Sequence, residues 1–142
     1  MIVVDLNLLV YATNEDSSLH EPARRWWEDT VSAGVPVGLA WTVVLGFIRL
    51  TTNPRVMPRP LTAPRAFDIV DGWLAHPSVE TIEPTARHWQ IVKDILGPLG
   101  AAANLTTDAH LAALAIERGA TLCSVDRDFG RFPHLKYRNP LV

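Results

Sequence analysis

Cysteine is almost missing from this chain: Cys123 is the only one in 142 residues. That excludes an internal disulfide and any cysteine-based zinc site, and it fits a reducing compartment. An excess of positive charge is missing too. With a net charge of -2 and a pI near 6.2, the chain cannot hold nucleic acid by overall potential, so any such contact must be local or metal-assisted. Long apolar runs are absent: no segment approaches the roughly 18 consecutive apolar residues of a membrane span. Asp5 interrupts the N-terminal run before it reaches the length of a secretion signal. The expectation is a soluble, cytoplasmic protein with no membrane partner. Neither an internal repeat nor a low-complexity stretch is present.

What the chain does have is core material. Hydrophobic residues make up 48% of it and five are Trp, enough apolar surface for one domain over residues 1–142. Ile2 to Asp5 reads as a strand closed by a carboxylate, and Leu6 to Ala12 as a short buried helical turn. The pattern of Trp26, Trp27 and Val31, with Pro22 in the first turn and Gly34 past the end, predicts a helix over 20–32. A strand is expected over 35–41, followed by a helix over 43–50 capped by Thr42. The proline-rich stretch 53–64 reads as an extended surface connection. Helices are expected over 63–76 and 85–96, the second with Trp89 on its apolar face, and a strand over 79–82. Leu111, Leu114 and Ala115 predict a helix that Thr107 can cap and Gly119 can end. A strand over 120–125 and a possible last strand around Lys136 and Arg138 complete the chain. This alternation implies an α/β fold with a mainly parallel sheet, whose ligands bind beyond the carboxyl ends of the strands.

Three aspartates then belong together. Asp5 and Asp126 close predicted strands, and Asp108 opens the helix that feeds the second of those strands, so all three face one edge. A helix N-terminus offsets about 0.3 to 1 kcal/mol of one such charge, too little for several carboxylates packed together. Either they take up protons or a cation joins them. An oxygen-only set favours Mg2+ or Mn2+ over zinc, and such an ion suits hydrolysis of a phosphodiester. Each acid also has a plainer role open to it. Asp5 can cap the turn after it, Asp108 can be a favourable acid in a first helical turn, and Asp128, two residues after Asp126, can cap the turn around Phe129.

Val3 to Leu9, Asn104 to Ala115 and Ser124 to Phe129 together resemble the PIN-domain ribonucleases of the VapC toxin type, in the family's order and across almost the whole chain. The resemblance implies a three-layer α/β/α fold with about five short strands. It also implies Mg2+- or Mn2+-dependent RNA cleavage, a VapB-like antitoxin that blocks the site, and a homodimer. On the matching positions it makes Asp5, Asp108 and Asp126 catalytic metal ligands and Asp128 an additional acid. Asn7 and Ser124 become polar braces for these carboxylates. One position departs from the pattern. Where the family places a Glu, this chain has Gly46, and no acid occurs between Asp29 and Asp68 to substitute for it. The expectation is weaker metal binding, with water in the vacancy.

Two alternatives stand beside the nuclease reading: a degenerate PIN domain serving as an RNA- or partner-binding module, and a haloacid-dehalogenase-like phosphatase. The phosphatase normally needs an acid where Asn7 stands. Arg49 and Arg127 are candidates for a local phosphate-binding rim. His110 is expected to be surface or core, and the other four histidines to form no ligand-spaced pair.

Overall fold

The computed structural model describes residues 1–100 and 103–142. Five short strands form one sheet: β1 (Ile2–Val4), β2 (Val37–Ala40), β3 (Val79–Ile82), β4 (Thr121–Cys123) and β5 (Lys136–Arg138). Their order is β3-β2-β1-β4-β5, and every pairing is parallel. The helices among the described residues are α1 (Leu6–Thr13), α2 (His20–Ser32), α3 (Trp41–Thr51), α4 (Ala63–Ala75), α5 (His88–Leu96) and α6 (Thr106–Glu117).

Handedness divides these helices into two layers. From β1 through β2 to β3 the chain steps across the sheet in one direction, with α1 to α4 in the connections. From β3 it returns to β4 through α5 and α6, in the opposite direction. Right-handed crossovers therefore place α1 to α4 on one face and α5 with α6 on the other. The direction reverses between β1 and β4. Their carboxyl ends form the switch point of the sheet, the usual crevice for ligands in open α/β folds.

Burial follows from this layering. Val3, Val4, Val37, Leu39 and Leu122 are fully buried in strands covered on both faces. Trp73 of α4 stands edge-on to Phe47 of α3, with ring centroids 4.6 Å apart, and to Trp27 of α2 at 6.0 Å. These three rings lock α2, α3 and α4 together. No helix among the described residues is long and apolar enough to cross a membrane.

Several local expectations need correction. Trp41 opens α3 rather than ending β2, so Ala40 holds the N-cap position, Thr42 caps nothing, and the helix has no side-chain cap. Burial of Val43, Val44 and Phe47 carries this helix instead. The cap position of α6 is Leu105, and Thr107 lies inside the first turn. The expected strands over 35–41 and 120–125 shorten to Val37–Ala40 and Thr121–Cys123, and the helix expected from Thr85 begins at His88. Within 53–64, Met57 is buried, Leu61 N–H donates to the Thr51 carbonyl, and Pro64 already belongs to α4. The stretch is pinned by a side chain that a proline count does not reveal. Trp89 is 68% exposed, with Lys93 Nζ 5.7 Å from its ring centroid, so it forms no part of the core.

Candidate active site

Asp5 leaves β1 at the switch point with its backbone N–H bonded to the Cys123 carbonyl of β4. Its side chain has two partners. Oδ1 accepts from Leu6 N–H at 2.8 Å, capping α1, and Oδ2 accepts from the Ser124 hydroxyl at 2.7 Å. The capping role and the site role are thus held by different oxygens of one carboxylate.

Ser124 is fully buried and ties three residues together. Its Oγ donates to Asp5 and accepts from Asn7 Nδ2 at 3.2 Å and from Asp126 N–H at 3.0 Å. Asp126 in turn caps the 3-10 turn Arg127–Arg131, its Oδ1 accepting from Asp128 N–H at 2.9 Å. The turn around Phe129 is therefore capped by Asp126 and not by Asp128. Asp128 is exposed and lies 3.8 Å from Arg131 Nη1.

Electrostatics connect the acids of three separate elements. Burial holds the Asp5 carboxyl above its ordinary range, against hydrogen bonds from Ser124 and Leu6, and the Asp126 charge adds to the rise. Asp108, in the first turn of α6, is pushed up to about 6, first by burial and then by the charges of Asp5, Asp126 and Asp128. Asp108 therefore faces the same edge as the acids of β1 and β4, as the order of elements predicts. Tyr137 of β5 flanks them; burial raises its hydroxyl pKa, with the Asp126 and Asp5 charges raising it further and Arg127 opposing. Tyr137 carries no motif, and nothing in its sequence neighbourhood signals this position.

The residues present fit a hard divalent cation. Their donors are carboxylate oxygens that repel one another, and Asn7 Oδ1 is buried among them with no hydrogen-bond partner. Among the described residues no three His, Cys, Asp or Glu side chains form a closed ligand set. An ion would draw the acids together rather than enter a finished cage.

Gly46 is buried in α3 and faces α1. A Cβ placed on it would lie 2.7 Å from Leu6 Cδ2. Leu6 thus packs directly against Gly46. Gly46→Ala is expected to stabilise by less than about 1 kcal/mol in the wild type, because the Cβ meets only the end of the half-buried Leu6 side chain, whose turning aside offsets part of the helix-propensity gain of about 1 kcal/mol. On a Leu6→Ala background the full gain should appear. Urea denaturation of the four proteins checks the difference.

The raised pKa of Asp108 sets a pH dependence. Its folded value, about 6, lies above the ordinary 3.8, so the folded chain holds this proton more tightly than the unfolded chain. Asp108 therefore contributes most favourably below about pH 4, and that contribution is lost as pH rises through about 6. Metal-free Asp108→Asn should melt higher than wild type above pH 6, and the difference should vanish towards pH 4. Thermal melts across this range test it.

Of the rim candidates, Arg127 lies beside the site and Arg49 is exposed on α3; among the described interactions none joins Arg49 to the acids. One contact between histidines lies outside what the spacing of the sequence shows. His88 Nε2 and His110 Nδ1 are 2.8 Å apart, across α5 and α6, at a separation of 22 residues that no spacing rule reaches.

The sequence matches the PIN domain family over residues 2–135. The chain belongs to that family. Within it the chain falls among the VapC proteins: it is 44% identical to ribonuclease VapC37 of Mycobacterium tuberculosis, over 99% of this chain and 97% of the relative. It is 41% identical to ribonuclease VapC33 of the same organism, over 99% of each chain. Solved structures agree on the fold. VapBC2 from Rickettsia felis, bound to a DNA fragment from its promoter, aligns with a TM-score of 0.71 at 20% identity, covering 98% of both chains. DNA-bound VapBC from Salmonella typhimurium aligns at 0.67 with 17% identity, over 98% of this chain and 97% of that one.

Proposed function

We propose that this chain is the toxin of a type II toxin-antitoxin system, an endoribonuclease that hydrolyses RNA phosphodiesters at the edge formed by Asp5, Asp108 and Asp126. The observation that carries this reading is the mutual electrostatic coupling of acids from β1, α6 and β4 at the switch point of the sheet. Full-length similarity to proteins named as ribonucleases supports the reaction class.

Asp5, Asp108 and Asp126 would hold Mg2+ or Mn2+, with Asp128 as an outer acid. When bound, such an ion supplies Lewis acidity toward a phosphoryl oxygen and lowers the pKa of bound water. The chain's own part is orientation. Ser124 fixes one Asp5 oxygen and the backbone of Asp126, and Asn7 fixes Ser124. Arg127, exposed between two acids in sequence, supplies a positive charge for the RNA backbone.

Incubation with total RNA and Mn2+, followed by mapping of product ends, tests the activity. Discrete cleavage sites are the expected result, and intact RNA at all Mn2+ concentrations would overturn it. One observation favours the rival reading of a non-catalytic binding module: Leu6 packs against Gly46, where the family's acid would stand. Mn2+ binding separates the two, because the module needs none. The reading includes a VapB-like antitoxin and a homodimer. Support for the antitoxin comes from structural neighbours that are themselves VapBC assemblies. Copurification with the product of an adjacent small gene tests the first, and light scattering on the isolated chain the second.

A further inference from the structure

Asp108 sits in a difficult place. The first turn of α6 carries it toward three other carboxylates whose charges oppose its own, and Leu105, at the cap position, provides no side-chain cap. A helix end so loaded is pushed away from the site unless something deeper in the helix holds it. The structure contains such a hold on the same helix. His110 and Glu117 are seven residues apart, which places them on one face of α6 about two turns from each other. The imidazole of His88, at the start of α5, spans the two: Nδ1 donates to Glu117 Oε1 at 2.5 Å, and Nε2 meets His110 Nδ1 at 2.8 Å.

The far end of this chain is anchored. The Glu117 side chain has no solvent exposure; its Oε2 accepts from Thr85 N–H at 3.1 Å and from Arg118 Nη1 at 3.3 Å. Arg118 also donates to the Glu83 carbonyl, just beyond β3, and to the Leu114 carbonyl at 3.1 Å. The carboxylate can only accept, so it fixes the His88 proton on Nδ1. His88 Nε2 and His110 Nδ1 share one proton across the contact between the two rings. Donors converge on the Glu117 carboxylate from both sides, Thr85 and Arg118 from the exit of β3 and His88 from α5, and His88 links that carboxylate to His110 in the N-terminal half of α6.

We propose that His88 is a positioning residue for the carboxylate centre: by bridging His110 and Glu117 it holds the first turn of α6, and with it Asp108, in place against the other acids. The inference rests on the metal-dependent reading above. Its consequence is partial preorganisation: Asp108 is held facing the other acids, so less movement remains when an ion draws the set together.

His88→Phe and His110→Phe keep the ring volume and remove the bridge. Titration calorimetry with Mn2+ should show affinity about tenfold weaker in each, the scale of losing a group that orients a ligand. Metal-free hydrogen exchange should accelerate at the Leu111 and Ala112 amides, which bond back to the Thr107 and Asp108 carbonyls, and stay unchanged at Glu117. Unaltered Mn2+ affinity in a folded variant, even one of lowered stability, overturns the proposal, because simple packing would give that result. If His88→Phe does not fold, His110→Phe decides alone. Absence of Mn2+ binding by the wild type overturns the metal reading itself, and the positioning role with it.

Discussion

Asp5→Asn is expected to reduce RNA cleavage by a hundred- to a thousandfold, on the order of losing one charge-stabilising group in an enclosed site. The variant should remain folded. Asn keeps the volume and can still accept from Leu6 N–H through Oδ1, and loss of a buried charge offsets the weakened bond to Ser124. Asp5 is the sharpest choice because one carboxylate both caps α1 and accepts the Ser124 hydroxyl, with burial raising its pKa. Cleavage of a defined RNA in Mn2+, alongside a thermal melt, separates loss of chemistry from loss of fold. Equal activity in both proteins would sink the nuclease site as drawn.

Ser124→Ala is the second large effect, and it acts through orientation. One hydroxyl donates to Asp5 and accepts from Asn7 and from the Asp126 backbone, so its removal leaves three polar groups short of a partner at once. Asn7 is affected most, because its Oδ1 already lacks a partner and its Nδ2 would lose the one it has. The expected cost is about 2–3 kcal/mol of stability, each unsatisfied buried group costing about 1–3 kcal/mol before local relaxation. A loss of about ten- to a hundredfold in Mn2+ affinity should accompany it, as for other groups that orient metal ligands. Urea denaturation reads the first quantity and titration calorimetry the second. Ser124→Thr keeps the hydroxyl and should recover part of the affinity, which a mere cavity effect would not permit.

The order of elements was legible because it rests on local rules. The helix over 20–32 follows from Pro22, the spacing of its tryptophans and Gly34, whose φ of +71 suits the glycine that ends it. Strand β3 was legible from a short alternating run between helices. Where boundaries moved, burial outweighed capping. Thr42 is a good cap residue, but Val43, Val44 and Phe47 must face the sheet side of α3, and the helix that presents them begins at Trp41. Composition was equally misleading at Trp89, which recurs at core spacing and yet stands in solvent.

What the sequence determined by itself is the pairing of strand ends with acids: Asp5 after β1, Asp126 after β4 and Asp108 at the head of the helix between β3 and β4. Their shared edge follows from parallel topology alone, since every parallel strand points its carboxyl end the same way. What only the tertiary structure decided depends on contacts between residues far apart in the chain. Leu6 packs against Gly46, Tyr137 lies within electrostatic reach of Asp126 and Asp5, and His88 bridges α6 to the segment beyond β3. Each of these depends on side-chain volume and direction once the layers have packed, and no periodicity along the chain encodes such distances.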